Sequence, residues 1–276
     1  MNGVLLVHKE VGMTSFDVVS KLRKILKIKR IGHSGTLDPN ASGVLLVLVG
    51  NACKCLPYIE DTDKKYIATM KLGMETISDD IWDEPINTAP VVPIDDFQAL
   101  LDQMKGKIKQ IPPYISSIKI NGKKLYEYAR NHEFIERPLR DVEIYDIKVL
   151  DEANLAFYTH CSSGTYIRSI CRDVAKLSGN LGCMSSLVRC GIGKFTLDDC
   201  FTLKQIEEGD YHLYSIKDIL AHYPMVEYEK IEDVKNGKRI KLDRDDEMVV
   251  ILHQGEVIAL YKKLGNGIYG SERGLW

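Results

Sequence analysis

Much common chemistry is missing from this chain. It has no G-x-x-x-x-G-K-[ST] phosphate loop, no H-E-x-x-H zinc motif and no dinucleotide fingerprint opening a helix, so phosphoryl transfer, zinc hydrolysis and hydride transfer have no sequence support. The seven cysteines include no C-x-x-C pair, and no histidine cluster completes a zinc set; they read as reduced, small apolar residues, with no metal expected. No apolar run approaches the ~20 residues that span a bilayer. Met1 to Val7 lacks the cationic start and cleavage site of a signal peptide, so a cytoplasmic location is expected. Positive charge is absent from Leu72 to Met104, and negative charge from Val18 to Leu37. A net charge of −2 therefore hides a strong asymmetry, which can give a near-neutral protein a positive face.

At 276 residues and 45% hydrophobic content, the chain can bury one large core plus a small appendage. Gly3 to Val7 reads as a short buried strand. Thr14-Ser15-Phe16-Asp17 resembles a capping box, and Val18, Val19, Leu22, Ile25 and Leu26 form the apolar face of the helix that follows. Val44 to Val49 and Tyr66 to Leu72 read as strands, Asp95 to Met104 as a helix, and Val142 to Leu150 with Leu155 to Cys161 as a hairpin. Another helix is expected from Thr165 to about Leu177, and a helical segment from Thr202 to about His222. Strands mix with helices without regular βαβ alternation. The expected class is α+β, with a mixed, mostly antiparallel sheet flanked by helices. Residues 1–222 would form the main domain, with an insert at about 75–140. Residues 223–276, broken by Asn236-Gly237, Gly255, Gly265-Asn266-Gly267 and Gly270, suit a small β-rich module.

The densest local signal is Gly32-His33-Ser34-Gly35-Thr36-Leu37-Asp38-Pro39-Asn40-Ala41-Ser42-Gly43, which puts one carboxylate in a constrained loop ahead of an apolar strand. Glycines permit close backbone approach and Pro39 fixes the chain after Asp38. On spacing alone this could be an ordinary Asp-Pro turn. Just before it, Lys21, Arg23, Lys24, Lys27, Lys29 and Arg30 crowd onto one basic segment, and a second basic run holds Lys119, Lys123, Lys124, Arg130, Arg137 and Arg140.

The loop resembles the active-site motif of the TruB-type tRNA pseudouridine synthases, approximately G-H-T-G-T-L-D-P-x-A-T-G, with Ser34 and Ser42 in place of two threonines. Further matches follow in family order. They are Lys64-Lys65-Tyr66, then Ile111-Pro112-Pro113 with Ser116 to Lys119, then Gly122 to Arg130, Cys161 to Arg168, and Leu187-Val188-Arg189. The resemblance spans roughly residues 3–200. Departures are Lys9-Glu10 for the family's Lys-Pro, Tyr114-Ile115 with its aromatic displaced by one position, and Ile77 in place of an Asp.

The resemblance implies a pseudouridine synthase catalytic domain followed by a PUA-like C-terminal module. It implies isomerisation of uridine 55 in the T-arm stem-loop of tRNA, by base flipping, with no cofactor, metal or obligatory protein partner, in a monomeric enzyme. It makes Asp38 the catalytic carboxylate. A carboxylate can attack the sugar or take its 2′ proton, and both routes stay open. The resemblance pairs Arg168 with Asp38 and gives Tyr66 and Tyr166 to base and sugar. It sets His33 in the space vacated by the flipped base, Leu187 beneath the uracil and Lys9 as support. Lys21, Lys24, Lys29, Arg30, Lys119, Lys123 and Arg130 are the expected contacts to the RNA backbone. The long segment around Asp79 to Arg140 looks like the stand-alone bacterial form, not the guide-dependent archaeal and eukaryotic one. A second reading is a tRNA-binding folding factor in which catalysis is secondary.

Overall fold

A computed structural model describes residues 1–59, 63–131, 133 and 135–276. The chain divides into two compact units: Met1–Pro39, Val44–Asp61 and Leu197–Trp276 form one, and Asn40–Gly43 with Thr62–Thr196 the other.

In the first unit, the strand Gly3–Lys9 is followed by the helix Ser15–Leu26. Thr14 caps that helix through its hydroxyl, and the Asp17 side chain returns to the Thr14 backbone, the reciprocal box that the sequence suggested. Val18, Val19 and Leu22 point into a core shared with Leu5, Val7, Ile31, Leu45, Val47, Val49 and Ile206. The basic segment is not one helix. Lys27 adopts the left-handed conformation at φ 55°, so only Lys21, Arg23 and Lys24 of the cluster are helical. Lys29 and Arg30 lie beyond the helix end, before the short strand Ile31–His33, which runs antiparallel to Ser42–Val49 with His33 opposite Val47.

The helical segment expected at 202–222 is also interrupted. Leu203–Glu208 ends at Gly209 (φ 84°), and only Ile216–Ile219 resumes. Between them the backbone bridges Tyr214 to Val4. That strand-like pairing satisfies amide groups that a continuous helix would have paired internally. Toward the C-terminus, Met225–Glu227, Met248–His253, Glu256–Gly265, Ile268–Gly274 and Ile240–Lys241 form a five-stranded sheet in that spatial order. Its hairpins turn at Gln254-Gly255 and Asn266-Gly267, whose positive φ angles are those of type I′ turns. Tyr261 and Tyr269 fill its core with Val249, Ile251 and Ala259.

The second unit is built on antiparallel pairings. Gly182–Ile192 pairs with Lys64–Leu72, which pairs with Ala156–Cys161, then Arg140–Asp151, then Gly106–Gln110. The 140–151 and 156–161 pair is the expected hairpin. Gly182–Ile192 also pairs in parallel with Ser42 and Gly43. The helix Ile167–Leu177 packs on Gly182–Ile192, and a Cβ on Gly182 would come within 2.4 Å of the Ala175 Cβ. The expected 95–104 helix is shorter, Phe97–Asp102, and capped by the Asp96 carboxylate. Within the insert, Asn121-Gly122 turns a small hairpin between Lys119–Ile120 and Lys123–Lys124, leading into the helix Leu125–Arg130.

One close approach limits the loop's exit. Gly43 sits at φ +117°, and a Cβ there would lie 2.2 Å from the Arg189 carbonyl oxygen. Gly43→Ala should combine backbone strain with a backbone clash and cost roughly 3 kcal/mol or more in urea unfolding. Gly106→Ala has a similar φ of +90° but open space, and should cost only about 1 kcal/mol. Equal losses in the two variants would contradict the packing argument.

Candidate active site

The loop carrying Asp38 is held by its backbone on both sides of that residue. On the C-terminal side, the Pro39 carbonyl accepts from the Gly12 N–H at 2.9 Å and from Lys9 Nζ at 3.2 Å. Lys9 is fully buried and donates also to its neighbour's carbonyl, Glu10 O, at 3.0 Å. A buried ammonium needs oxygen partners because no water serves its protons. On the N-terminal side, the Leu37 N–H donates to Ser15 Oγ at 2.9 Å, and the same hydroxyl donates to Leu37 O at 3.3 Å. Earlier in the loop, Ser34 N–H reaches Leu46 O at 3.0 Å. Asp38 itself is half-buried.

The second unit positions the aromatic and cationic candidates. Tyr66 is buried on the strand Lys64–Leu72, opposite Thr159 on one neighbour and Arg189 on the other. Leu187, on the Arg189 strand, pairs with Ala68, so Tyr66 and Leu187 come from adjoining rows of one sheet. Two residues before Tyr66, on the same strand face, Lys64 is buried with Nζ 2.9 Å from Ser163 Oγ. Burial pushes its pKa down to about 8, and the Arg189 charge pushes the same way. Arg189 is 1% exposed, first among the large buried side chains.

Tyr166 is not helical. It is the extended N-cap of Ile167–Leu177, with φ −99° and ψ 111°. Its backbone is clamped by the buried Gln110: Tyr166 N–H donates to Oε1 at 2.8 Å, and Nε2 donates to Tyr166 O at 3.0 Å. Arg168 is the second residue of the helix and is buried. Its guanidinium donates to Ser78 O at 2.9 Å and to Ile115 O at 3.0 Å. One turn on, Arg172 reaches Asp79 Oδ2 at 2.7 Å and Ile111 O at 3.0 Å. Burial pushes the Asp79 carboxyl up, against the pull of Arg172, Arg137 and Arg168. Two arginines of one helix thus hold the carbonyls of Ser78, Ile111 and Ile115 and the carboxylate of Asp79.

The expected RNA contacts fall into two groups. Lys21, Lys24, Lys29 and Arg30 are exposed in the first unit, with Arg30 Nη1 3.2 Å from Asn51 Oδ1. In the second unit Lys119 is exposed and Arg130 lies 5.3 Å from the Tyr126 ring centre. Lys123 is partly committed, to Glu133 at 3.2 Å and over the Tyr128 ring at 4.5 Å. Tyr114, displaced from the usual family position, stacks under Arg137 at 3.9 Å. His33 and Lys9 sit in the first unit with Asp38, whereas Tyr66, Tyr166, Arg168 and Leu187 sit in the second. Sequence reasoning gave no site role to Ser15, Gln110 or Lys64, although Ser15 lies in the capping-box stretch and Lys64 in a family match. Each acts through a side-chain bond to a remote or exposed group, which leaves no periodic trace. Among the described residues, no group of three or more His, Cys, Asp or Glu could hold a metal ion, and no helix is long and apolar enough to cross a membrane.

Known proteins share this fold. A chain of a crystallised Cbf5–Nop10–Gar1 complex superposes with a TM-score of 0.71, at 24% identity, covering 99% of this chain and 85% of that one. A chain of the archaeal box H/ACA Nop10–Cbf5 complex gives 0.68 at 21% identity, with 99% and 86% covered. At the level of sequence, residues 23–167 match the N-terminal domain of the TruB family pseudouridylate synthases. The tRNA pseudouridine synthase B of Bacillus velezensis is 39% identical over 95% of this chain and 93% of its own length. That of Staphylococcus aureus is 47% identical over 75% and 72%. The chain belongs to the TruB family of pseudouridylate synthases.

The depressed Lys64 pKa has a signed consequence. Its folded value, about 8, lies below the ordinary lysine value. Burying the charge therefore costs stability below pH 8, and that cost disappears as pH rises toward the unfolded-state pKa. The unfolding free energy of wild type minus that of Lys64→Met should rise between about pH 7.5 and 10. A flat difference would show that Lys64 titrates as an exposed lysine.

Proposed function

We propose that this chain isomerises uridine to pseudouridine at position 55 in the T loop of tRNA, with Asp38 as the catalytic residue. The observation that carries the reading is the loop itself. A half-buried carboxylate lies between two residues whose backbones are bonded by the buried side chains of Ser15 and Lys9, in a chain of the TruB family.

The reaction breaks the N1–C1′ bond, turns the base, joins C5 to C1′, and moves the C5 proton to solvent while N1 gains one. Asp38 opens the sequence by attack at C1′ or by taking the 2′ proton. Arg168 is assigned as the cation of the reaction, the role that the family motif gives to its position. The uridine must leave its stack, at a cost of a few kcal/mol. Tyr66 offsets it by stacking on the base, a contact of roughly 1–3 kcal/mol. Leu187 lies beneath the ring, Tyr166 contacts base or sugar, and His33 fills the vacated position. Lys21, Lys24, Lys29, Arg30, Lys119, Lys123 and Arg130 take the RNA backbone, and the 223–276 sheet acts as a PUA-like module beside the acceptor stem. The enzyme works in the cytoplasm as a monomer, without a protein partner.

Tritium release from a tRNA transcript labelled at uridine C5 tests this directly, because C5 must lose its hydrogen. Wild type should release about one tritium per T loop, as the stoichiometry requires, and Asp38→Asn none. A folded wild type that binds the tRNA yet releases nothing would overturn the catalytic reading and favour an RNA-folding role.

A further inference from the structure

We propose that the buried Ser15 hydroxyl is a positioning residue for Asp38, setting the place of the catalytic carboxylate through a two-bond clamp on Leu37. The inference rests on Asp38 carrying the reaction. Ser15 is the first residue of the Ser15–Leu26 helix, and serine there usually faces water or helps to cap. Neither use applies. Thr14 and Asp17 already complete the cap, and Ser15 is 1% exposed. Its Oγ instead accepts from Leu37 N–H at 2.9 Å and donates to Leu37 O at 3.3 Å, across 22 positions of sequence. Leu37 itself is buried at 2% exposure, so its peptide groups have little access to water as an alternative partner.

The clamp acts on the peptide groups next to Asp38. Leu37 C=O belongs to the peptide bond that leads into Asp38, and Pro39 O lies one residue past it. Lys9, Gly12 and Ser15, three residues from one short stretch, therefore restrain the chain on both sides of the carboxylate. Of the two side-chain contacts, those of Lys9 and Ser15, only that of Ser15 is neutral. Removing Lys9 would change position and local charge together, whereas removing the Ser15 hydroxyl changes position alone. Displacement of a reacting group by about 1 Å can cost on the order of 100-fold in rate, and productive geometry tolerates only about 0.5 Å. RNA affinity, spread over many phosphate contacts, should be indifferent to so small a shift.

The test is steady-state tritium release by full-length wild type, Ser15→Ala and Asp38→Asn on the same labelled tRNA, with melting curves for each. The expected result is a kcat lowered about tenfold or more in Ser15→Ala, a KM within about twofold of wild type, and a folded protein at the assay temperature. A merely structural serine would lower the melting temperature and leave the turnover of the folded fraction unchanged, and kcat within twofold of wild type would overturn the proposal. So would an increase confined to KM. If Ser15→Ala does not fold, Ser15→Cys keeps the volume with a weaker hydrogen-bonding group and is judged by the same two constants. Full activity in Asp38→Asn would instead defeat the assignment of Asp38, an outcome separate from any result at Ser15.

Discussion

A lysine ammonium cannot leave water without partners for its protons, and the chain around Asp38 is shaped by that requirement. Lys9 ends a strand in which Gly3 to Val7 are apolar and buried, and it is as buried as they are. The carbonyls it reaches, Glu10 O and Pro39 O, belong to its own turn and to the loop 30 residues away. Strand, turn and loop are thereby tied at one charged point. Gly12 and Ser15 add neutral bonds to the same loop. The family's Lys-Pro is Lys9-Glu10 here, so the lysine is kept while the fixed φ that a proline would supply is not.

A similar economy governs the second unit. Buried polar groups there are used to hold backbone: Gln110 grips Tyr166, Arg168 grips Ser78 and Ile115, and Arg172 grips Ile111. Each charged hydrogen bond contributes about 1.5–3 kcal/mol, and the larger effect is the penalty of breaking one inside the protein. Such bonds fix long connections that contribute little apolar surface. The insert can therefore differ in length and composition from a regular layer and still present its side chains in defined places.

The sequence was most informative where a local rule decides the structure. The Thr14 capping box, the strand read at Tyr66 to Leu72 and the 140–151 and 156–161 hairpin all follow from neighbours in sequence. The family motifs located the Asp38 loop and the Tyr66, Tyr166 and Arg168 positions. Local rules failed where remote backbone competed. Tyr214 leaves an apparently helical stretch to pair with Val4, and Lys27 breaks a basic run that reads as one helix. Ser15 and Gln110 were invisible for the same reason: their partners are 22 and 56 residues away. Tyr166 was read as helical because a helix starts one residue later, yet it is the extended N-cap, held by Gln110 on one side and by the Ile170 N–H of the first turn on the other.

The proposed reaction requires a uridine turned out of an RNA loop to meet both the Asp38 carboxylate and the Tyr66 ring. A crystal structure of Asp38→Asn bound to an RNA stem-loop of T-arm sequence tests it most directly. The account predicts an everted uridine with residue 38 within hydrogen-bond distance of its ribose and the Tyr66 ring stacked on its base. A uridine left inside the loop, or turned out against a different surface, would contradict it.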